Sequence, residues 1–209
     1  MKKTGIQVEF IDSFGNDESV VNAARVSFNK TAENYTPEQN AKLIKYLAEH
    51  NHKSVFNHAF MSFRVKAPIM VARQLVKHAY LPWNETSRRY IDEEPEFFEI
   101  KWRNRPEKSV KQGSGEEFNE EGQAKADAIF WKLADQSLTA YNELLAMNVA
   151  PEQARAALLI DTCTDWVWSG SLFAFAGMCN LRLDPHTQKE STEVAKLISN
   201  KAKELFPVS

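Results

Sequence analysis

Ala59-Phe60-Met61-Ser62-Phe63-Arg64-Val65-Lys66, followed by Ala67-Pro68, decides the fold class. Ala59, Met61, Phe63 and Val65 fall on alternate positions, with Phe60, Ser62, Arg64 and Lys66 between them. A period of two sends the two sets to opposite faces, so the stretch reads as a strand with one buried face. Pro68 suits a helix start, where its missing N–H is not needed, and the spacing predicts a helix from Ile69 to about Ala79, closed off before Pro82. Upstream, Ile6, Val8 and Phe10 alternate as a second strand, and Ser19 to Val26 reads as a short helix. Thr36-Pro37-Glu38-Gln39 supplies a capping Thr, a Pro at the first helical position and a Gln three residues after the cap. The helix it opens should carry Leu43, Tyr46 and Leu47 on one face and end near His50.

Downstream, Leu81 to Tyr90 is polar and reads as a loop, and Glu96 to Trp102 as another strand. A long helix is expected from about Glu116 to Met147, with Ile129, Phe130, Leu133, Tyr141, Leu144 and Leu145 near helical spacing. Pro151 opens a short helix, Ile160 to Trp168 reads as extended, and a helical stretch runs on to Arg182. Asp184-Pro185 is expected to cap a final helix reaching Leu205. Helices dominate, with three or four strands, so the class is α+β: a helix-rich single domain, 1–209, with a small, mainly antiparallel sheet. There is no repeat and no linker to divide it.

Composition narrows the function. Lys+Arg 26 against Asp+Glu 28 gives a formal charge of -2, so no global basic field points to nucleic acid or to an anionic membrane. Gln7 and Glu9 interrupt any apolar core of a signal peptide, and no run of about 18 apolar residues occurs. Cys163 and Cys179 fit neither a metal cluster nor a disulfide framework and read as buried thiols in a reducing, cytoplasmic setting. Lys101, Arg103, Arg105, Lys108 and Lys111 read as a solvated basic loop. His52 and His58 lack the spacing and companions of a metal site, and no metal is expected. Only 7 glycines occur, none in a phosphate-loop pattern.

The richest chemistry lies in Arg73 to Tyr90. On a helix Gln74, Lys77 and His78 would share one face, beside a loop carrying Asn84, Glu85, Ser87 and Arg89. Either a solvated helix end or a polar site satisfies that spacing. Arg155 and Arg182 sit in apolar stretches of sequence, where a buried guanidinium needs an anionic or carbonyl partner. A buried carboxylate or a bound phosphate would serve, and the planar fork of Arg suits the latter.

These residues resemble the flavin-dependent thymidylate synthases, whose motif is Arg-His-Arg, seven residues, then Ser. Here Lys77-His78-Ala79 precedes Ser87 at the same spacing, with Arg73-Gln74, Asn84, Glu85, Arg89 and Tyr90 around it. Ala23 to Ser27 and His52 to His58 are similar to two upstream family blocks, and Ala154-Arg155 through Asn180-Leu181-Arg182 to Glu190 to the C-terminal one. The resemblance implies the thymidylate synthase-complementing fold and a homotetramer whose active sites are assembled from several subunits. It also implies conversion of dUMP to dTMP with methylenetetrahydrofolate, FAD and NADPH. By position, Arg182 would be catalytic, favouring ionisation of the uracil at N3. Gln74, Leu75, Val76, Lys77, Glu85, Thr86, Ser87, Arg88, Arg89, Arg155 and Arg182 would hold dUMP. Ser54, Lys77, His78, Ala79, Glu85, Ser171, Leu172, Phe173 and Gly177 would face the flavin. No nucleic acid or membrane partner is implied.

The departures from the family pattern fall on the flavin side. Lys77 and Ala79 replace both arginines of the triplet, Asn57 stands where the family has Glu, and Ser171, Phe173 and Gly177 replace more polar residues. A retained nucleotide site with altered flavin or folate handling is therefore expected. Hydroxymethylation at C5, or nucleotide binding without turnover, are the alternatives.

Overall fold

The computed structural model describes residues 1–106 and 113–209. Lys108 and Lys111 of the basic stretch lie outside the described residues. In chain order the elements are β1 (Lys2–Thr4), β2 (Gln7–Phe14), α1 (Asp17–Arg25), α2 (Pro37–Glu49), β3 (Phe60–Pro68), α3 (Ile69–Leu75), β4 (Trp83–Glu85), β5 (Glu96–Phe98), α4 (Glu120–Ala146), α5 (Pro151–Ala154), β6 (Cys163–Ser171), α6 (Leu172–Arg182) and α7 (Lys189–Leu205). A four-stranded antiparallel sheet has the order β2-β3-β6-β4, and β1 pairs with β5 in a separate parallel ribbon. The fold class stands as read from the sequence, with more strands than expected.

β3 is the centre of the molecule, and its alternation is realised in full. Ala59, Met61, Phe63, Val65 and Ala67 are buried, and across the register Phe63 faces Trp168 while Val65 faces Trp166. Phe175 of α6 meets Phe63 and Trp168 edge-on, at centroid distances of 5.4 and 5.5 Å. Met178 of α6 and Val194, Ala195 and Ile198 of α7 complete this core. A second cluster, Phe97, Ala134, Leu138, Tyr141 and Ala154, fixes α4.

Local chemistry sets the helix boundaries. Thr36 accepts the Gln39 N–H at 3.3 Å and Gln39 accepts the Thr36 N–H at 3.0 Å, the reciprocal box expected at the start of α2. Thr36→Ala should cost about 1 kcal/mol, read as a lower denaturant midpoint at unchanged slope.

Several expectations need correction. α3 ends at Leu75 rather than near Ala79, and residues 76–80 form turns, with Tyr80 at φ +62°. Gln74, Lys77 and His78 are therefore not one helical face. Leu81 to Tyr90 is not all loop, because Trp83–Glu85 pairs with β6 as β4. The turn presses on that strand, since a Cβ at Gly170 would lie 2.3 Å from Leu81 Cδ2. The Glu96 strand ends at Phe98. On α2, Ile44 and Leu47 are buried, whereas Tyr46 stacks on His50 at 4.0 Å and is half exposed. On α4 the buried stripe runs through Ala134, Leu138 and Tyr141, so Ile129 and Leu133 face outward. α7 begins after Gln188, and Asp184 instead turns the chain by accepting the His186 and Thr187 N–H groups. Among the described residues no helix is long and apolar enough to cross a membrane.

Candidate active site

The sequence-predicted residues gather in three places on one chain. The first lies where the turn after α3 meets the end of α6 and the start of α7. Arg182, in the last turn of α6, donates from Nε to His78 Nε2 at 3.0 Å and from Nη2 to the Gln74 carbonyl at 2.9 Å. The Gln74 amide is itself fixed by α7: it donates to Gln188 Oε1 and accepts from Ser191 Oγ at 3.1 Å. Thr192 Oγ1 donates to the Arg182 carbonyl at 2.9 Å. Burial lowers the Arg182 pKa, and burial followed by the Arg182 charge lowers that of His78. Among the described residues Arg182 has no carboxylate partner, whereas Arg103 is paired with the buried Glu190 and Arg64 with Asp165 at 3.3 Å. A half-buried cation satisfied only by neutral acceptors keeps its field available for an anion.

The second place is a cavity of about 290 Å³ beside β4 and β6, lined by Glu85, Thr86, Arg88 and Arg155 together with Arg64 and Lys66. Thr164 Oγ1 donates to Glu85 Oε1 at 2.7 Å and Trp83 Nε1 to its other oxygen at 3.1 Å, so both carboxylate oxygens are engaged. The Thr86 N–H donates to the Asp165 carbonyl at 2.8 Å, and Arg88 to that of Glu93 at 2.8 Å. Lys66 pairs with Glu96 at 2.9 Å, and that hydrogen bond, opposed by desolvation and reinforced by the Asp165 charge, raises its pKa. Sequence reasoning passed over Arg64 and Lys66, because on an alternating strand they look like an ordinary solvated face.

Arg155 corrects another expectation. It is exposed and bonds to the Glu152 carbonyl at 3.1 Å, because the 3-10 turn Arg155–Ala157 directs it away from its apolar neighbours. Ser87 and Arg89 belong to the turn after β4. Ser87 Oγ accepts the Arg89 N–H at 3.3 Å, and the Arg89 guanidinium donates to the Tyr90 hydroxyl at 3.1 Å. Val76, Lys77 and Ala79 are exposed on the turn, while the Leu75 side chain belongs to the core. Among the described residues, Arg182 is outside the lining of the cavity that Arg155 lines, and Arg89, Arg155 and Arg182 have separate hydrogen-bond partners.

The third place surrounds the start of α6. Ser171 caps that helix by accepting the Ala174 N–H at 3.2 Å and donates to Asn57 Oδ1 at 2.6 Å. Leu172 is buried, and Ser54 is exposed on the 3-10 helix Lys53–His58. Phe173 lines two cavities. One, of about 230 Å³, also has His52, Lys53, Phe56, Gly177 and Asn180, and the other has Asn57, Phe60, Tyr80 and Ser171. Lys53 Nζ lies 5.6 Å from the Phe173 ring centre, and nothing stands within 4 Å of a Cβ built at Gly177. An aromatic face, a nearby cation and open space over backbone suit a flat, anionic ligand.

Cys163 and Cys179 are free and buried, each thiol pushed up to about 12, chiefly by burial. Neither is a nucleophile at neutral pH.

Comparison with known proteins places the chain in a family. The family described as thymidylate synthase complementing protein matches residues 9–208. The chain is similar to a flavin-dependent thymidylate synthase of Thermosipho africanus, 36% identical over 200 residues, covering 96% of this chain and 87% of the relative. A flavin-dependent thymidylate synthase of Thermus thermophilus is also 36% identical, over 97% of this chain and 73% of its own length. Among solved structures, the UMP/dUMP methylase PolB from Streptomyces cacaoi bound with 5-Br dUMP superposes with a TM-score of 0.89 at 27% identity, covering 100% of this chain and 94% of that one. Its complex with 5-Br UMP gives a TM-score of 0.90. The chain belongs to the family of flavin-dependent thymidylate synthases, the thymidylate synthase complementing proteins.

Proposed function

We propose that this protein methylates dUMP to dTMP in the cytoplasm, with methylenetetrahydrofolate as carbon donor, FAD as flavin cofactor and NADPH as reductant. One observation carries the proposal: Arg182 is a half-buried guanidinium oriented by an imidazole and a carbonyl, with no carboxylate among the described residues to cancel its charge. Such a cation stabilises negative charge developing on a uracil ring, and ionisation at N3 makes C5 nucleophilic toward the methylene carbon. The two inert thiols support activation of this kind rather than attack by cysteine.

The residues around Phe173 suit a flavin, with Lys53 and Gly177 lining one cavity and Ser171 the adjoining one, and by the family resemblance Ser54, Lys77 and His78 would join them. When bound, the reduced flavin supplies the hydride. Lys77 retains a point charge where the family has a guanidinium fork, and Ala79 retains none. A charge-assisted hydrogen bond to a diphosphate oxygen is worth about 1.5 to 3 kcal/mol, so FAD should bind at least tenfold more weakly than to a chain carrying Arg at both positions. Glu85 keeps both its oxygens engaged and closes one side of the site.

Gln74 and Arg182 form one half of a nucleotide site, and Glu85, Thr86, Arg88 and Arg155 the other, with Ser87 and Arg89 on the same loop. The separation of the halves supports a homotetramer in which two copies contribute to each site. Arg88, Arg89 and Arg155 have no carboxylate partner among the described residues and are suited to the phosphate.

A product assay by mass tests the proposal, with dUMP and UMP offered separately alongside flavin, NADPH and methylenetetrahydrofolate. dTMP formed only when flavin is present supports it. A hydroxymethylated product, or no product from protein that binds dUMP, refutes it. Titration with FAD examines the cofactor side, and affinity unchanged in K77R/A79R would contradict the weakened diphosphate site.

A further inference from the structure

We propose that His78 is a positioning residue for Arg182, its neutral imidazole aiming the guanidinium without cancelling its charge, so that protonation of His78 releases Arg182. The proposal rests on the reading of Arg182 as the activating residue. By position His78 belongs to the flavin-facing set, yet its Nε2 lies 3.0 Å from Arg182 Nε.

Donor arithmetic gives this pairing its meaning. A guanidinium carries five N–H groups and no acceptor. One is taken by His78 Nε2 and one by the Gln74 carbonyl, which leaves three, on Nη1 and Nη2, for a substrate. Two bonds from different nitrogens fix the plane of the group, as a single bond cannot. Glu190 and Asp165 hold Arg103 and Arg64 by opposite charge. A carboxylate on Arg182 would hold it equally well but would offset the field that the uracil anion needs.

For Nε2 to accept, the ring must be neutral with its proton on Nδ1, because the imidazolium has no lone pair to offer. Protonation would also place two cations 3.0 Å apart. Burial and the Arg182 charge both oppose it. Arg182 from α6 is the charged group acting on the ring, and the residues at the start of α7 that meet Gln74 beside it, the capping Gln188 and Ser191, are neutral. Lys77, next in sequence, is exposed.

The test compares flavin-loaded wild type, His78→Gln and His78→Ala, measuring kcat and the KM for dUMP over roughly pH 5 to 9. Gln keeps a side-chain carbonyl acceptor but does not titrate. The expected result is a fall in kcat of about tenfold or more in the alanine variant with little change in KM, and recovery of most of it by glutamine. The wild-type acidic limb, below the ordinary imidazole value, should flatten in the glutamine variant. Equal losses in both variants, or an acidic limb that persists in His78→Gln, would overturn the proposal.

NMR titration of the ring keeps this distinct from the assignment of function. His78 should titrate below the ordinary imidazole value in wild type and rise in Arg182→Gln. An unshifted His78 would refute the pairing even in an active enzyme. A wild-type protein that makes no product from dUMP would refute the catalytic role while the titration still reported the pairing.

Discussion

Arg182→Ala is expected to lower turnover at least a hundredfold while weakening dUMP binding by no more than about tenfold. The asymmetry follows from where the guanidinium acts. In the ground state dUMP is neutral at N3, and in the proposed site its phosphate would be held by Arg88, Arg89 and Arg155 in the other half-site. Negative charge at the ring develops only as the reaction proceeds, so a fixed cation there contributes more to the transition state than to the bound substrate. Arg182→Lys should recover little, because the ammonium can satisfy neither the His78 geometry nor the planar fork. Stopped-flow turnover and calorimetric dUMP binding check this directly. Equal, small effects on both would place the activating group elsewhere.

The second large effect concerns stability. Asp161 is 3% exposed, its Oδ2 accepts the Phe98 N–H at 3.1 Å, and its Oδ1 has no partner among the described residues. Burial, opposed by that N–H and reinforced by Glu190, raises its pKa from 3.8 to about 7. Between those values the folded protein keeps a proton that the unfolded chain has released, so stability declines as pH rises through the window and the full loss is reached above its upper end. A shift of this size is on the order of 4 kcal/mol. Asp161→Asn keeps the carbonyl oxygen for Phe98 and removes the titration. Its melting temperature should exceed that of wild type at pH 8 and converge with it near pH 4. Parallel curves for the two proteins would contradict the assignment.

Much of the fold was legible because strand and helix periods are local. β3, the capping box of α2 and the proline starts of α3 and α5 needed no distant partner to be recognised. β4 was hidden because Trp83-Asn84-Glu85 is too short to show a period, and it exists through pairing with Trp166, Val167 and Trp168, about 80 residues away. α3 was read too long because Lys77 and His78 continue a helical spacing that the chain abandons at Leu75 in order to press Leu81 against Gly170. Apolar neighbours in sequence suggested a buried Arg155, but one 3-10 turn was enough to expose it.

The site was legible in its members and not in its grouping. Arg182 lies more than 100 positions from Gln74 and His78 in sequence and meets them through α6. No spacing rule pairs an imidazole with a guanidinium at that separation. Gln188, just before α7, and Ser191 in its first turn, which fix Gln74, were missed because a half-buried Gln–Ser hydrogen bond leaves no mark beyond a polar position.

The division of the proposed nucleotide-binding residues between two regions of one chain makes subunit complementation the most direct measurement. Arg155→Ala and Arg182→Ala proteins, each inactive alone, are dissociated, mixed and reassembled, and dTMP formation is followed. If each site takes Arg155 from one copy and Arg182 from another, some mixed sites contain both native arginines and activity returns. If one copy supplied both, every site in the mixture would lack one of them, and the mixture would stay as inactive as its parents.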